Sequence, residues 1–229
     1  MKPPHDPAIE RLTLNSMSAR LLEQFHLDRG LGYTLKLLAL RPRRAIEEYL
    51  FEDRRRMIRP FTLLLLSVAV ATFLSLEFLL QENIAAEAEA ELAHLPERIQ
   101  RAFALSLAAI RNYFNLVYMS SLPPMTLATF LVFRSRRLNL AEHLVLNTYL
   151  FSVQTLLFIL AIPVLVLRES QSMWTSVIPV AYTIWFYKDV FDLGWGAGLL
   201  RSALVFLLGQ ALWILLGALA FGVLLIVVG

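Results

Sequence analysis

Uncharged apolar runs fill the last three quarters of the chain, while charged and polar positions crowd its first quarter. A bilayer's hydrocarbon core, about 30 Å thick, needs roughly 20 apolar residues in helical form. Segment 60–80 meets this with one acid, Glu77; segments 113–133 and 144–167 are uncharged; and segment 199–228 carries only Arg201 near its start. A shorter run, 174–187, contains Pro179 and has Trp174, Trp185 and Tyr187 at its ends, as suits a span anchored at both interfaces. The pattern predicts an all-α polytopic bundle of five transmembrane helices.

The first 59 residues are patterned differently. Leu14, Met17, Leu21 and Phe25 recur at helical spacing over 8–26. Asp28-Arg29-Gly30 is expected to break that helix, and Leu31–Leu40 forms a second, apolar one. Pro42 suits the first turn of a third. There Ile46, Tyr49, Leu50 and Met57 share a face, Asp53 falls on that same face, and Arg44, Glu48, Arg55 and Arg59 lie opposite. An apolar face backed by arginines fits an interfacial helix beside anionic lipid. Packing on the protein's own spans is the equal alternative. The division is a basic, amphipathic segment over 1–59 and a transmembrane domain over 60–229, with a helical outer loop at 81–112.

Composition sharpens the class. Of 229 residues, 58% are hydrophobic and 17% charged, with no cysteine, and mean hydropathy is +0.61. Such values exclude a disordered chain, a disulfide-stapled module and a thiolate metal site. The net charge of +3 hides an asymmetry: seventeen of the 21 Lys and Arg residues fall on one side of the five predicted spans. The positive-inside rule then places the N-terminus in the cytoplasm and the C-terminus outside. No apolar signal-peptide core precedes Pro60, so the first span is expected to be a retained anchor. The basic residues expected at the headgroup level are Arg41, Arg43, Arg44, Arg54, Arg55, Arg56 and Arg59, joined by Arg134, Arg136 and Arg137 between the second and third spans.

Several features bear on function. Ser67, Ala71 and Ser75, and again Ala218 and Gly222, form small-residue stripes that let helices approach closely, within one subunit or between two copies. Pro123-Pro124, after Ser120-Ser121, forces a kink or break in the second span; a structural kink is the first reading and a solute-binding break the second. His143, Asn147 and Gln154 share a face of the third span, with Gln210 a partner at comparable depth. Interhelical hydrogen bonding is the first reading of that stripe and a polar path for a proton or solute the second. His143 stands beside Glu142 at the predicted boundary, where an imidazole titrates near neutral pH. Glu77 reaches the outer interface or, if buried, is a coupling-site candidate. Asp53 is expected to pair with Arg54 or Arg137. Asp189 and Asp192, beside Lys188 and facing Arg201, serve as charged helix ends or hold Mg²⁺ against a lipid phosphate.

The sequence holds no second zincin histidine, nucleophile elbow or phosphate-binding loop, and Gly194-Trp195-Gly196-Ala197-Gly198 follows a predicted helix and lacks a third glycine at Leu199. No metal or cofactor site is expected. The arginines follow the bilayer's sidedness, so nucleic acid is not an expected partner.

Phe25-His26-Leu27-Asp28-Arg29-Gly30-Leu31 with Thr34-Leu35, Arg41-Pro42, Glu48-Tyr49-Leu50, Arg54 and Pro60 resembles the domain-of-unknown-function 3667 family of bacterial membrane proteins. Leu138-Asn139-Leu140-Ala141-Glu142-His143-Leu144 is similar to the start of that family's central span. The likeness spans about residues 25–61 and is loose beyond. Members commonly begin with a cysteine-rich zinc ribbon, which this cysteine-free chain lacks, so no zinc carries over. Arg43 and Glu52-Asp53 replace the family's glycine after Arg-Pro and its Gly-Lys pair. The resemblance implies a bacterial inner-membrane protein of four or five spans and no known reaction. The expected role is a non-enzymatic scaffold or accessory subunit of envelope or transport machinery, with the bilayer, anionic headgroups and a membrane-protein partner or second copy as its contacts. A small transporter or channel and a lipid-phosphate enzyme are the alternatives.

Overall fold

The computed structural model describes residues 27–78, 96–168 and 173–228, all regular elements of which are helical. The helices are α1 (Leu27–Leu40), α2 (Pro42–Phe51), α3 (Pro60–Phe78), α4 (Glu97–Asn112), α5 (Phe114–Met119), α6 (Leu122–Val132), α7 (Leu140–Arg168), α8 (Met173–Val190) and α9 (Trp195–Val228), with single 3₁₀ turns at Arg54–Arg56 and Arg134–Arg136. The predicted amphipathic helix of Leu14, Met17, Leu21 and Phe25 lies outside the described residues, as does 79–95 of the outer loop.

Among the described residues, three helical stretches are long and apolar enough to cross a membrane: Arg54–Leu74, Leu140–Pro163 and Trp195–Val227. They belong to α3, α7 and α9. Contacts along their length fix their relative directions. The Tyr149 hydroxyl of α7 donates to the Ile58 carbonyl just before α3 at 2.7 Å, and Phe151 packs with Leu64 and Val68 further along, so α3 and α7 run parallel. In α6, Thr129 meets Asn147, while Tyr118 of α5 meets Thr155 and Phe151. The α5–α6 pair therefore runs against α7. So does α8, whose Tyr187 meets Asn147 and whose Thr183 meets Gln154. A Cβ on Gly198 would touch Lys188, one on Gly209 would meet Met125, and Trp213 donates to Ser120, so α9 runs against both α8 and α6.

Helix α7 is the hub. Every residue from Leu146 to Val153 is buried, so it is enclosed on all sides by α3, α6 and α8. Its first turn carries a reciprocal capping box: the Glu142 amide donates to Asn139 Oδ1 at 3.0 Å and the Asn139 amide to Glu142 Oε2 at 2.7 Å. Helix α9 is the opposite case, with an outward half in which Leu215, Leu219, Val223 and Ile226 are all exposed. Helix α4 lies along that half, and Arg98 donates to the Leu225 carbonyl at 2.9 Å, satisfying an acceptor the helix end leaves open.

Several expectations need correcting. Asp28-Arg29-Gly30, expected as a break, is itself helical within α1, and what precedes Leu27 lies outside the described residues. A Cβ on Gly30 would stand 2.9 Å from the Ile58 nitrogen and 3.1 Å from the Met57 carbonyl carbon, so the glycine's role is close backbone approach. The third helix stops at Phe51, and Met57 is buried in the same core from a separate segment. Glu48, placed on the polar face by periodicity, is instead 2% exposed. The run predicted as the second span is two helices, with Ser120-Ser121 between them. Pro123 and Pro124 occupy the first turn of α6, where missing amide donors cost nothing.

Candidate functional site

The basic ends of α3, α6, α7, α8 and α9 gather at one end of the bundle, and the α1–α2 unit is fastened there. Pro42 begins α2 without a side-chain cap of its own from Arg41. Asp189, at the end of α8, supplies one: its Oδ2 accepts the Arg43 amide at 2.9 Å. The Arg43 guanidinium lies 3.4 Å from Asp192 and bonds Glu47 at 2.8 Å. Its pKa is raised above the ordinary value chiefly by that Glu47 bond. Tyr182 of α8 donates to the Leu38 carbonyl at 3.0 Å, and Tyr149 packs edge-on against Tyr49 besides holding Ile58.

Inside the unit, the Tyr33 hydroxyl faces both carboxylate oxygens of Glu48 at 3.0 and 2.8 Å, with Arg44 3.9 Å away. The Glu48 bond, then burial, then the Glu48 charge hold the Tyr33 hydroxyl above its usual pKa. The Ile58 amide donates to Thr34 Oγ1 at 3.0 Å, clamping the chain that leads into α3. The apolar face of α2 therefore packs on the protein's own helices.

The arginines sort into two groups. Arg43 is engaged as above; Arg44 forks onto Glu52 with bonds of 2.5 and 2.7 Å; Arg54 caps the carbonyls of Tyr49 and Leu50; and Arg56 lies over the Tyr33 ring. Arg41, Arg55, Arg59, Arg134, Arg136 and Arg137 are exposed and have no acidic partner among the described residues. Exposed apolar side chains interleave them, including Leu40, Phe51, Phe61 and Leu140.

In the polar row on α7, Asn147 and Gln154 are hydrogen-bonded to neighbouring helices. Asn147 Nδ2 donates to Thr129 Oγ1 at 2.7 Å and to the His143 carbonyl at 2.9 Å, and its Oδ1 accepts from Tyr187 at 2.9 Å. Gln154 donates to Thr183 at 2.8 Å. The expected partnership with Gln210 is not formed: Gln210 sits half-buried on α9 at the level of Met125. His143 is fully buried between Phe130 and Phe191, with neither ring nitrogen hydrogen-bonded. Its neighbour Glu142 closes the capping box with Asn139.

Other charge sites also differ from expectation. Asp53 is exposed and caps the 3₁₀ turn by accepting the Arg55 amide at 3.1 Å, with no ion pair to Arg54 or Arg137. Arg201 does not face the aspartates; its guanidinium lies 5.8 Å from the Phe133 ring centre, on a stack that Phe191 continues at 3.8 Å. Asp192 adopts a left-handed φ of 49°, tolerated by aspartate, and ends α8 while the Leu193 amide bonds the Lys188 carbonyl. Ser67 and Ala71 are buried in the bundle, whereas Gly222 has nothing within 4 Å of where a Cβ would stand. The side chains of Ser75 and Glu77 lie outside the described residues. Three anchors escaped sequence reading: Tyr149, Tyr182 and the Tyr33–Glu48 pair. A tyrosine inside an apolar run is the signal that was there to find, since its hydroxyl requires a partner.

The Asp189 cap yields a direct test. Asp189→Ala is expected to loosen the start of α2 by about 1 kcal/mol, read as faster amide exchange at 43–46, with Mg²⁺ making no difference in wild type or variant. Protection that rises with Mg²⁺ in the wild type alone would return the aspartates to the metal reading.

These features define the class: among the described residues, an all-helical protein with three helices long and apolar enough to cross a membrane and a fastened helical cap. Residues 28–72 match the model of a family described as a protein of unknown function (DUF3667). The matched stretch covers nearly all of α1, then α2, the 3₁₀ turn and most of α3, the cap and its lead into the bundle. No curated protein and no solved structure matches the chain.

Proposed function

We propose that the protein crosses a bacterial inner membrane five times, its arginine-rich end in the cytoplasm, and acts there as a non-enzymatic scaffold or accessory subunit held to anionic lipid. The crossing number is supported by direction. Helices α3, α7 and α9 point the same way, so the chain must return between them. The α5–α6 pair and α8 are antiparallel to them and, at 19 and 18 residues, are about 27–28 Å long. Positive-inside asymmetry supports the orientation.

The observation that carries the lipid reading is the ring of exposed arginines without acidic partners at the α1–α2 end. A polar path for solute draws less support, because Asn147 and Gln154 engage Thr129, Tyr187 and Thr183 rather than an opening. The aspartate site of a lipid-phosphate enzyme likewise has Asp189 occupied by the Arg43 amide.

The test is gentle detergent purification followed by native mass spectrometry. Several anionic phospholipids per chain are expected, with membrane-protein partners or further copies. Replacing Arg134, Arg136 and Arg137 together by Gln is expected to lower anionic lipid carried about threefold. Lipid-free protein, or equal retention of zwitterionic lipid, would overturn the reading. Reporter fusions at both ends test the crossings; two ends on one side would exclude five.

A further inference from the structure

A groove of about 340 Å³ runs along one stripe of α1, lined by Tyr33, Lys36, Leu37, Leu40 and Arg41. Its lining is almost wholly apolar, and Lys36 and Arg41 stand exposed beside it with no acidic partner among the described residues. The size falls within the range of small-ligand clefts, about 300–1,000 Å³. The stripe's position in the bundle decides what reaches it. Tyr182 holds the Leu38 carbonyl, and Tyr182 is eight residues from the end of α8, about 12 Å along that helix. The end of α1 therefore sits beside the bundle at the depth where acyl chains begin, and α1 is itself an apolar helix from Gly30 to Leu40. Its 64% exposed Leu40 lies on the groove.

We infer that this groove holds a single anionic glycerophospholipid from the leaflet around the bundle, its acyl chain along Leu37 and Leu40 and its phosphate between Lys36 and Arg41. Charge complementarity selects the occupant. An apolar floor alone would admit any acyl chain, but two unpaired cations at one edge favour a headgroup with net negative charge. Tyr33 closes the far end, its hydroxyl already held by Glu48 and so not available to the lipid. The site deepens the anionic-lipid reading and depends on the α1–α2 end lying in a bilayer.

The experiment uses the full chain in nanodiscs of mixed phosphatidylglycerol and phosphatidylcholine, released into the mass spectrometer at rising collision energy. One phosphatidylglycerol is expected to survive after the others dissociate. Lys36→Gln with Arg41→Gln should lower that tightly held lipid at least fivefold, and Lys36→Arg with Arg41→Lys should restore it. Leu40→Trp, which fills the groove from an exposed position without changing charge, should also expel it. Substituting Arg134, Arg136 and Arg137 should leave it bound while depleting the loosely held lipid. If that substitution depletes nothing yet the groove variants lose one lipid, the arginine ring fails and the groove stands. Equal retention by wild type and both groove variants, or phosphatidylcholine held as tightly as phosphatidylglycerol, would overturn the inference.

Discussion

Replacing Gly30 with valine is expected to unseat α1 from the chain that enters α3 and to destabilise the protein by about 1–3 kcal/mol, the range for forcing atoms into a packed site. The neighbours of the added Cβ are the backbone of Arg56, Met57 and Ile58, at 3.4, 3.1 and 2.9 Å, so no side chain can rotate out of the way. The helix must move instead. That motion stretches the Ile58–Thr34 bond and disturbs the carbonyl that Tyr149 holds. Gly32 provides the contrast: nothing lies within 4 Å of its Cβ position, and it is inside the same helix. Gly32→Ala should be neutral or stabilising by up to about 1 kcal/mol. Thermal unfolding of the detergent-purified chain checks both. Equal losses at the two positions would show that α1 is not seated on the 56–58 segment.

Asn147→Leu should cost about 3 kcal/mol. Two interhelical hydrogen bonds disappear, each worth about 0.6 and at most about 1.7 kcal/mol in a membrane protein. The larger part is the penalty for what remains, since Tyr187 is fully buried and its hydroxyl loses its acceptor, at about 1–3 kcal/mol. Tyr187→Phe should cost less, about 1 kcal/mol, because Asn147 keeps Thr129 and the His143 carbonyl. A double-mutant cycle read by unfolding in mixed micelles should return a coupling above about 0.5 kcal/mol. Strict additivity would mean that α6, α7 and α8 are not joined at this point. If the row were instead a solute path, Asn147→Leu would block flux through vesicles while leaving stability nearly unchanged.

What was legible in the sequence follows from which forces act locally. Uninterrupted apolar runs of helix length outline α3, α7 and α9, because burial of a helix in lipid depends on composition along the run. The extent of α8 is also local, set by hydropathy, and so is the helix start that Pro123-Pro124 mark, although the gap itself falls at Ser120-Ser121. Periodicity misled at Glu48 and Asp53. It assumes that a carboxylate faces water, whereas Tyr33 and Arg44 bring Glu48 inside, and a helix stop at Phe51 releases Asp53 from the face it was assigned. The stripe of His143, Asn147 and Gln154 was visible, but its partners Thr129, Tyr187 and Thr183 are distant along the chain. Hydroxyls within apolar runs carry no register of their own. Gly30 is the same kind of case: its reason is the backbone of residues 56–58, more than two dozen positions away.

Helix α9 has 34 residues, a rod of about 50 Å, against a hydrocarbon slab of about 30 Å. Tilting within the usual range of about 40° shortens its vertical reach to no less than about 39 Å. The uncharged stem after Arg201 is 27 residues, about 40 Å, and such a tilt brings it to about 31 Å, close to the slab's thickness. With its tip tethered by Arg98, any change of that tilt would carry α4 with it.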